Sequence, residues 1–171
     1  KTENGPKMKA PWPDVPVLCS KHPAQCITSK GQDRIPITAE NWQKMAAAGK
    51  LVSSYNSYQR TDKWHLMYKG SGDCKNYAFT TRAVLRALFR EYASAVGVVD
   101  VTDARGTGHA IVAIRTDRGD FVYDQNLPKL APLNEHASLG MTYDNIQSPQ
   151  DPTRFHMLVG PKVEVQLAAN T

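Results

Sequence analysis

The chain has 171 residues, is 41% hydrophobic and 22% charged, and carries a net charge of +5 with a pI of about 9.1. This size and composition fit one folded domain with a real core and exclude disordered or fibrous protein. No apolar run approaches the ~20 residues of a membrane span, and the lysines and arginines are scattered without a nucleic-acid motif, so the positive charge reads as solvated surface.

The first residue is Lys1, so a processed or trimmed form is expected, from which a leader would already be gone. Residues 1–37 hold six of the eleven prolines (Pro6, Pro11, Pro13, Pro16, Pro23, Pro36) and read as extended and irregular. Within them, VLCSKHPAQC brings Cys19 close to Cys26. A short disulfide-closed loop fits that spacing and implies an oxidising compartment; two free thiols are the alternative. With the first two paired, Cys74 stands alone, either as buried filler or as a reactive thiol.

Thr38 is the expected N-cap of a helix over roughly 39–58. Its apolar positions are Trp42, Met45, Ala46, Val52 and Tyr55, weakened at Gly49. A second helix over roughly 74–92 follows the i, i+3, i+4, i+7 rule through Cys74, Tyr77, Ala78, Thr81, Leu85, Leu88, Phe89 and Tyr92. Arg82, Arg86 and Arg90 recur on its other face, which reads as solvated. The period then changes to strands at 95–101, 109–116 and 121–125, the last two joined by the turn signal TDRGD into a hairpin. Residues 154–160 read as an edge strand and 163–167 as another. Helices followed by antiparallel strands make an α+β domain of helices packed on an antiparallel sheet.

The chemistry gathers in GSGDC, GHA and VYDQ. Glycines on both sides of Ser71 let the chain turn into the helix that Cys74 opens. A helix N-terminus favours a thiolate, the nucleophilic form of cysteine, and the Cys74 amide is placed to meet an oxyanion. Such a nucleophile needs a base, and the base an orienter. His109 starts one hairpin strand and Asp124 ends the other. They share a face for any even-length turn. A four-residue loop from Thr116 to Gly119, or a bulge, makes them diagonal neighbours. Taken singly, the cysteine reads as packing, the histidine as a satisfied core residue and the aspartate as a turn residue. Their order and glycine contexts join them. His22, His65, His136 and His156 show no ligand spacing with Cys or acids, so no metal centre is expected.

GDC followed by Tyr77-Ala78, then GHAIV, then an aspartate ending the next strand, resembles the bacterial transglutaminase-like cysteine proteinases of the transglutaminase/papain-like superfamily. VLCSKHPAQC and MTYDNIQSPQDPTRFHMLV resemble that family's terminal segments, so the likeness covers nearly the whole chain. It implies a papain-like or transglutaminase-like core in one peptidase domain over 1–171. Cys74 is then nucleophile, His109 general base and Asp124 orienter of a thiol hydrolase cleaving a peptide or amide bond. Export to the periplasm is implied, with a protein or peptide substrate such as a surface adhesin or envelope protein. Family members that release adhesins usually read Asp-Cys-Glu-Asp, whose acids help bind calcium. Here Lys75 and Asn76 follow the cysteine, and the cation at 75 opposes calcium. Two other readings stay open: a cell-wall peptide amidase, whose usual Asp-Cys-Ser-Gly is not met, and a catalytically silent binding module, which Lys75 keeps in play.

Overall fold

The computed structural model describes residues 7–9, 12, 15–27, 31–149 and 151–158. In chain order the described elements are β1 (Lys7–Lys9), α1 (Val15–Lys21), a 3-10 turn at Pro23–Cys26, α2 (Ala39–Tyr55), β2 (Asn56–Tyr58), β3 (Gly70–Gly72), α3 (Cys74–Leu88), a 3-10 segment at Arg90–Ala95, β4 (Val96–Thr102), β5 (Gly108–Thr116), β6 (Gly119–Asp124), β7 (Leu127–Pro132), α4 (Leu133–Ala137), β8 (Thr142–Gln147) and β9 (Arg154–Met157).

Among the described residues, seven strands form one antiparallel sheet in the order β1-β9-β8-β4-β5-β6-β7. Alternate residues of β4 and β5 point to opposite faces, as a pleated strand requires. Val98, Ala110, Val112 and Ile114 pack with Ala78, Phe79 and Leu85 of α3 in one cluster. Val99, Val101, Ile111 and Ala113 pack with Leu133, Tyr143 and Ile146 in another. Because both faces are covered, the apolar run of β5 is buried from His109 to Thr116.

Thr38 caps α2 as expected: its hydroxyl accepts from the Asn41 N–H at 3.0 Å. The helix stops at Tyr55 rather than 58, because Asn56 turns extended and the next residues pair with β3 in a short parallel ladder. Gly49 sits where a Cβ would lie 2.3 Å from the Tyr123 ring, so α2 approaches the sheet there only without a side chain. The second helix ends at Leu88, short of the expected 92, and continues as the 3-10 segment.

Several sequence expectations need correction. The segment 1–37 is not irregular throughout. Val15 and Leu18 are each 1% exposed and drive α1 into the core, with Pro16 tolerated in its first turn. Cys19 of α1 and Cys26 of the following turn are disulfide-bonded, with Cα atoms 5.5 Å apart. The arginine stripe is solvated only at Arg90: Arg82 is 2% exposed and donates to the Gln25 carbonyl at 2.8 Å, and the partly buried Arg86 donates to the same oxygen at 3.0 Å. Two helix side chains thus hold the disulfide-closed loop against α3. The strand at 154–157 is not an edge, since β1 pairs beyond it. The strand expected at 163–167 lies outside the described residues.

The hairpin has the register that the wider loop predicts. Arg115 faces Asp120, and the ladder closes one pair further, Thr116 opposite Gly119, leaving Asp117 and Arg118 as the turn. Extended by the same sum, Asp124 lies across from Ile111, two places from His109, which makes them diagonal neighbours on one face.

Candidate active site

Cys74 is the first residue of α3, with Asp73 as its extended N-cap. The β2–β3 ladder carries Gly70–Gly72 up to that cap. A Cβ on Gly72 would lie 2.6 Å from Asn76 Cβ, so glycine is required there by the close approach of that side chain. Asn76 Oδ1 accepts from the Asp73 N–H at 3.0 Å, and its amide donates to the Lys63 and His65 carbonyls at 3.1 and 3.0 Å. The result is a capping box that also ties down the preceding loop. Lys75 does the same work: its ammonium donates to Asp73 Oδ2 and to the Thr61 carbonyl, both at 2.6 Å. The half-buried Cys74 thiol is thereby fixed at a helix start whose first amides have no intrahelical acceptor.

His109, at the start of β5, is 8% exposed, and its Nε2 lies 2.7 Å from Asp124 Oδ1. A carboxylate only accepts, so Nε2 carries the proton, and Cys74 lies near enough to act on the same ring. Burial disfavours a charged ring. The hydrogen bonds to Asp124 and Cys74 and their negative charges outweigh it and raise His109 to about 9. Burial likewise pushes the Asp124 carboxyl up, but its bonds to His109, His136 and the Asn126 amide hold it well below the usual carboxylate range. The structure therefore pairs His109 with Asp124 and sets Cys74 near enough to act on the His109 ring.

Sequence reading missed two parts of this site. His136 of α4 sets its Nε2 2.9 Å from Asp124 Oδ2, and its Nδ1 2.6 Å from the Tyr143 hydroxyl. Inspection of its spacing for metal ligands gave no hint, because the contact is made by α4 folding back on β6. Tyr58 stacks on Tyr77 with centroids 6.4 Å apart. Burial, then the charges of Cys74 and Asp73, raise the hydroxyl of this exposed Tyr58 ring. A polar pocket of about 470 Å³ opens beside the same helix start, lined by Gln59, Arg60, Thr61, Lys63, His65 and Ser71. Among the described residues, no three His, Cys, Asp or Glu side chains group to hold a metal ion.

A thiol heading the central helix, backed by a histidine and an aspartate on an antiparallel sheet, is the layout of papain-like and transglutaminase-like thiol enzymes. The chain belongs to the bacterial transglutaminase-like cysteine proteinases, whose family model matches residues 7–162. It is a cysteine peptidase of the transglutaminase-like type. Its fold is similar to that of Legionella pneumophila LapG, at 10% identity with a TM-score of 0.56, over 72% of this chain and 77% of that one. EGTA-treated LapG matches at 11% identity and 0.56, over 75% and 78%. Calcium-bound LapG matches at 12% and 0.52, over 60% of this chain and 62% of that one. At these identities the likeness is one of fold. No curated protein matches the sequence.

Proposed function

We propose that Cys74, His109 and Asp124 are the catalytic triad of an exported peptidase, one domain over residues 1–171, that processes a surface or envelope protein. The observation that supports this reading is the 2.7 Å contact of His109 with Asp124, with Cys74 near enough to the same ring to raise its pKa. Asp124 fixes the tautomer and balances the imidazolium, while the helix start favours the thiolate.

The thiolate attacks the scissile carbonyl carbon, forming a C–S bond and an oxyanion that the Cys74 amide meets. Collapse expels the amine, which takes its proton from His109 Nδ1 and leaves a thioester. Water then gives a proton to His109 and attacks the acyl carbon. The C–S bond breaks, the acid departs and the thiolate–imidazolium pair is restored.

Export is supported by the Cys19–Cys26 disulfide, which persists in oxidising compartments. Among the described residues no helix is long and apolar enough to cross a membrane. One LapG structure holds calcium. The residues at this helix start are a poor fit for that ion: the Lys75 ammonium already takes Asp73 Oδ2 and sets a positive charge beside the carboxylate, and Asn76 spends its oxygen on the Asp73 amide. No step is routed through a metal.

The test compares the cell-surface proteome of cells carrying the wild type with that of cells carrying Cys74→Ala. Removing one sulfur atom from a half-buried site leaves the fold, while the members of such a unit fail together, so activity falls by several orders of magnitude. A surface protein released only by the wild type is expected. Release that survives the substitution refutes the triad.

A further inference from the structure

Asp124 is 1% exposed and His136 2% exposed. Asp124 Oδ1 takes two donors, His109 Nε2 at 2.7 Å and the Asn126 amide at 2.9 Å; Oδ2 takes His136 Nε2 at 2.9 Å. Because the carboxylate only accepts, His136 carries its proton on Nε2. Its Nδ1 is then an acceptor, and the Tyr143 hydroxyl donates to it at 2.6 Å. The same hydroxyl lies 3.5 Å from the Leu133 carbonyl, a much longer contact than the 2.6 Å one to the ring.

A cavity of about 190 Å³ borders this contact, lined by Asp124 and His136, by Val122, Leu127, Ala131 and Leu139, and by the polar Lys129, Glu135 and Ser138. The Asp124–His136 contact therefore forms part of a cavity wall. Without the ring of His136 the Asp124 Oδ2 has room to turn into that cavity, and Oδ1 would leave His109.

We propose that His136 is a positioning residue for the site: through Nε2 it holds the Asp124 carboxylate so that Oδ1 faces His109, and Tyr143 fixes the tautomer that lets it do so. His136 touches neither the thiol nor a substrate; it acts through Asp124. The proposal rests on the triad reading only for its consequence in turnover. The charged and titratable groups acting on His109 are Cys74 from α3 and Asp124 from β6; those around Asp124 are His109, His136 and Tyr123, with Tyr143 on His136 and the Lys129–Glu135 pair on the wall of the same cavity.

The experiment is an NMR titration of the His109 ring in isotopically labelled protein, which needs no substrate and reads the same in an active or a silent enzyme. In the wild type the midpoint is expected near 9. In His136→Leu it falls by on the order of one unit, because His109 loses the carboxylate that holds its proton. In His136→Gln, whose amide restores a donor to Oδ2, the midpoint returns toward the wild-type value. A purely structural role would lower the unfolding temperature in both variants and leave the midpoint in place, and that result overturns the proposal. Should His136→Leu not fold, Tyr143→Phe carries the test: it frees the tautomer, and a downward shift is expected. An unchanged midpoint in that variant counts against the proposal equally.

Discussion

Lys75 Nζ lies 2.6 Å from Asp73 Oδ2, with the two side chains 11% and 13% exposed. The ammonium also takes the Thr61 carbonyl and stands 5.6 Å over the Trp64 ring. One carboxylate, one carbonyl and one aromatic face suit a compact monovalent cation, whereas calcium asks for six to eight oxygens. The cation at the helix start is thus part of the chain. Lys75→Met is expected to cost about 1–3 kcal/mol, since it leaves a nearly buried carboxylate without its donor. Urea unfolding reads that loss. In the same assay neither calcium nor EGTA should move the wild-type midpoint, and a rise on adding calcium would refute the argument.

The His109–Asp124 pair sets a pH dependence of stability. His109 rises from 6.5 to about 9 on folding, so its contribution is complete below 6.5 and is lost as pH rises through 9. Asp124 is lowered from 3.8, so its contribution is present above that value and lost as pH falls below it. Both describe the same pair, whose window runs from about 4 to 6.5. The His109 shift corresponds to on the order of 3 kcal/mol. Unfolding free energies at pH 6 and pH 10 should differ by about that much more in the wild type than in Asp124→Asn. Equal differences in the two proteins would remove the pair as the cause.

Activity should follow the same ring. With the proposed triad the imidazolium supplies the proton for the departing amine, so acylation is expected to fall as pH rises past about 9. Single-turnover rates measured across that range check it; a rate still climbing beyond pH 10 would assign the proton to another group.

The Cys19–Cys26 bridge closes a short loop whose ends are seven positions apart. Chain-entropy reasoning gives such a loop about 2–3 kcal/mol. The double variant Cys19→Ser with Cys26→Ser should lose that much. The loop remains held by Arg82 and Arg86 on the Gln25 carbonyl, so the fold is expected to persist. Denaturant unfolding in reducing and oxidising buffer separates the two contributions: only the wild type should respond to the reductant.

Gly49→Ala places a methyl 2.3 Å from the Tyr123 ring, whose hydroxyl bonds Ser53 at 3.2 Å. Tyr123 precedes Asp124 on β6, so a shift of α2 or of that ring moves the strand end that carries the carboxylate. The substitution is expected to cost about 1–3 kcal/mol as overpacking, read as a lowered unfolding midpoint. Ala at this site without any loss would mean that the helix can back away freely.

The sequence by itself determined the elements whose signals are local. The Thr38 cap, the helix opening at Cys74, the apolar run of β5 and the TDRGD turn are each written in adjacent residues, and parity puts His109 and Asp124 on one face of the hairpin. Their offset of two places was settled only by where the turn closes, at Asp117 and Arg118. The short spacing of Cys19 and Cys26 likewise made their pairing legible. What the sequence left open depends on approach between segments distant in the chain. Whether Arg82 faces water or Gln25, 57 positions away, is decided by where the disulfide loop packs. Whether residues around Pro16 form a helix is decided by a core ready to take Val15 and Leu18. Lys75 looks like a misplaced charge until the loop at Thr61 closes over it. His136 looks idle until α4 folds its ring against Asp124. Periodicity and turn chemistry fix which elements form, because they act through neighbours along the backbone. The partners of a buried charge or ring are fixed only when the sheet and helices have met, because burial and hydrogen-bond geometry arise from that packing.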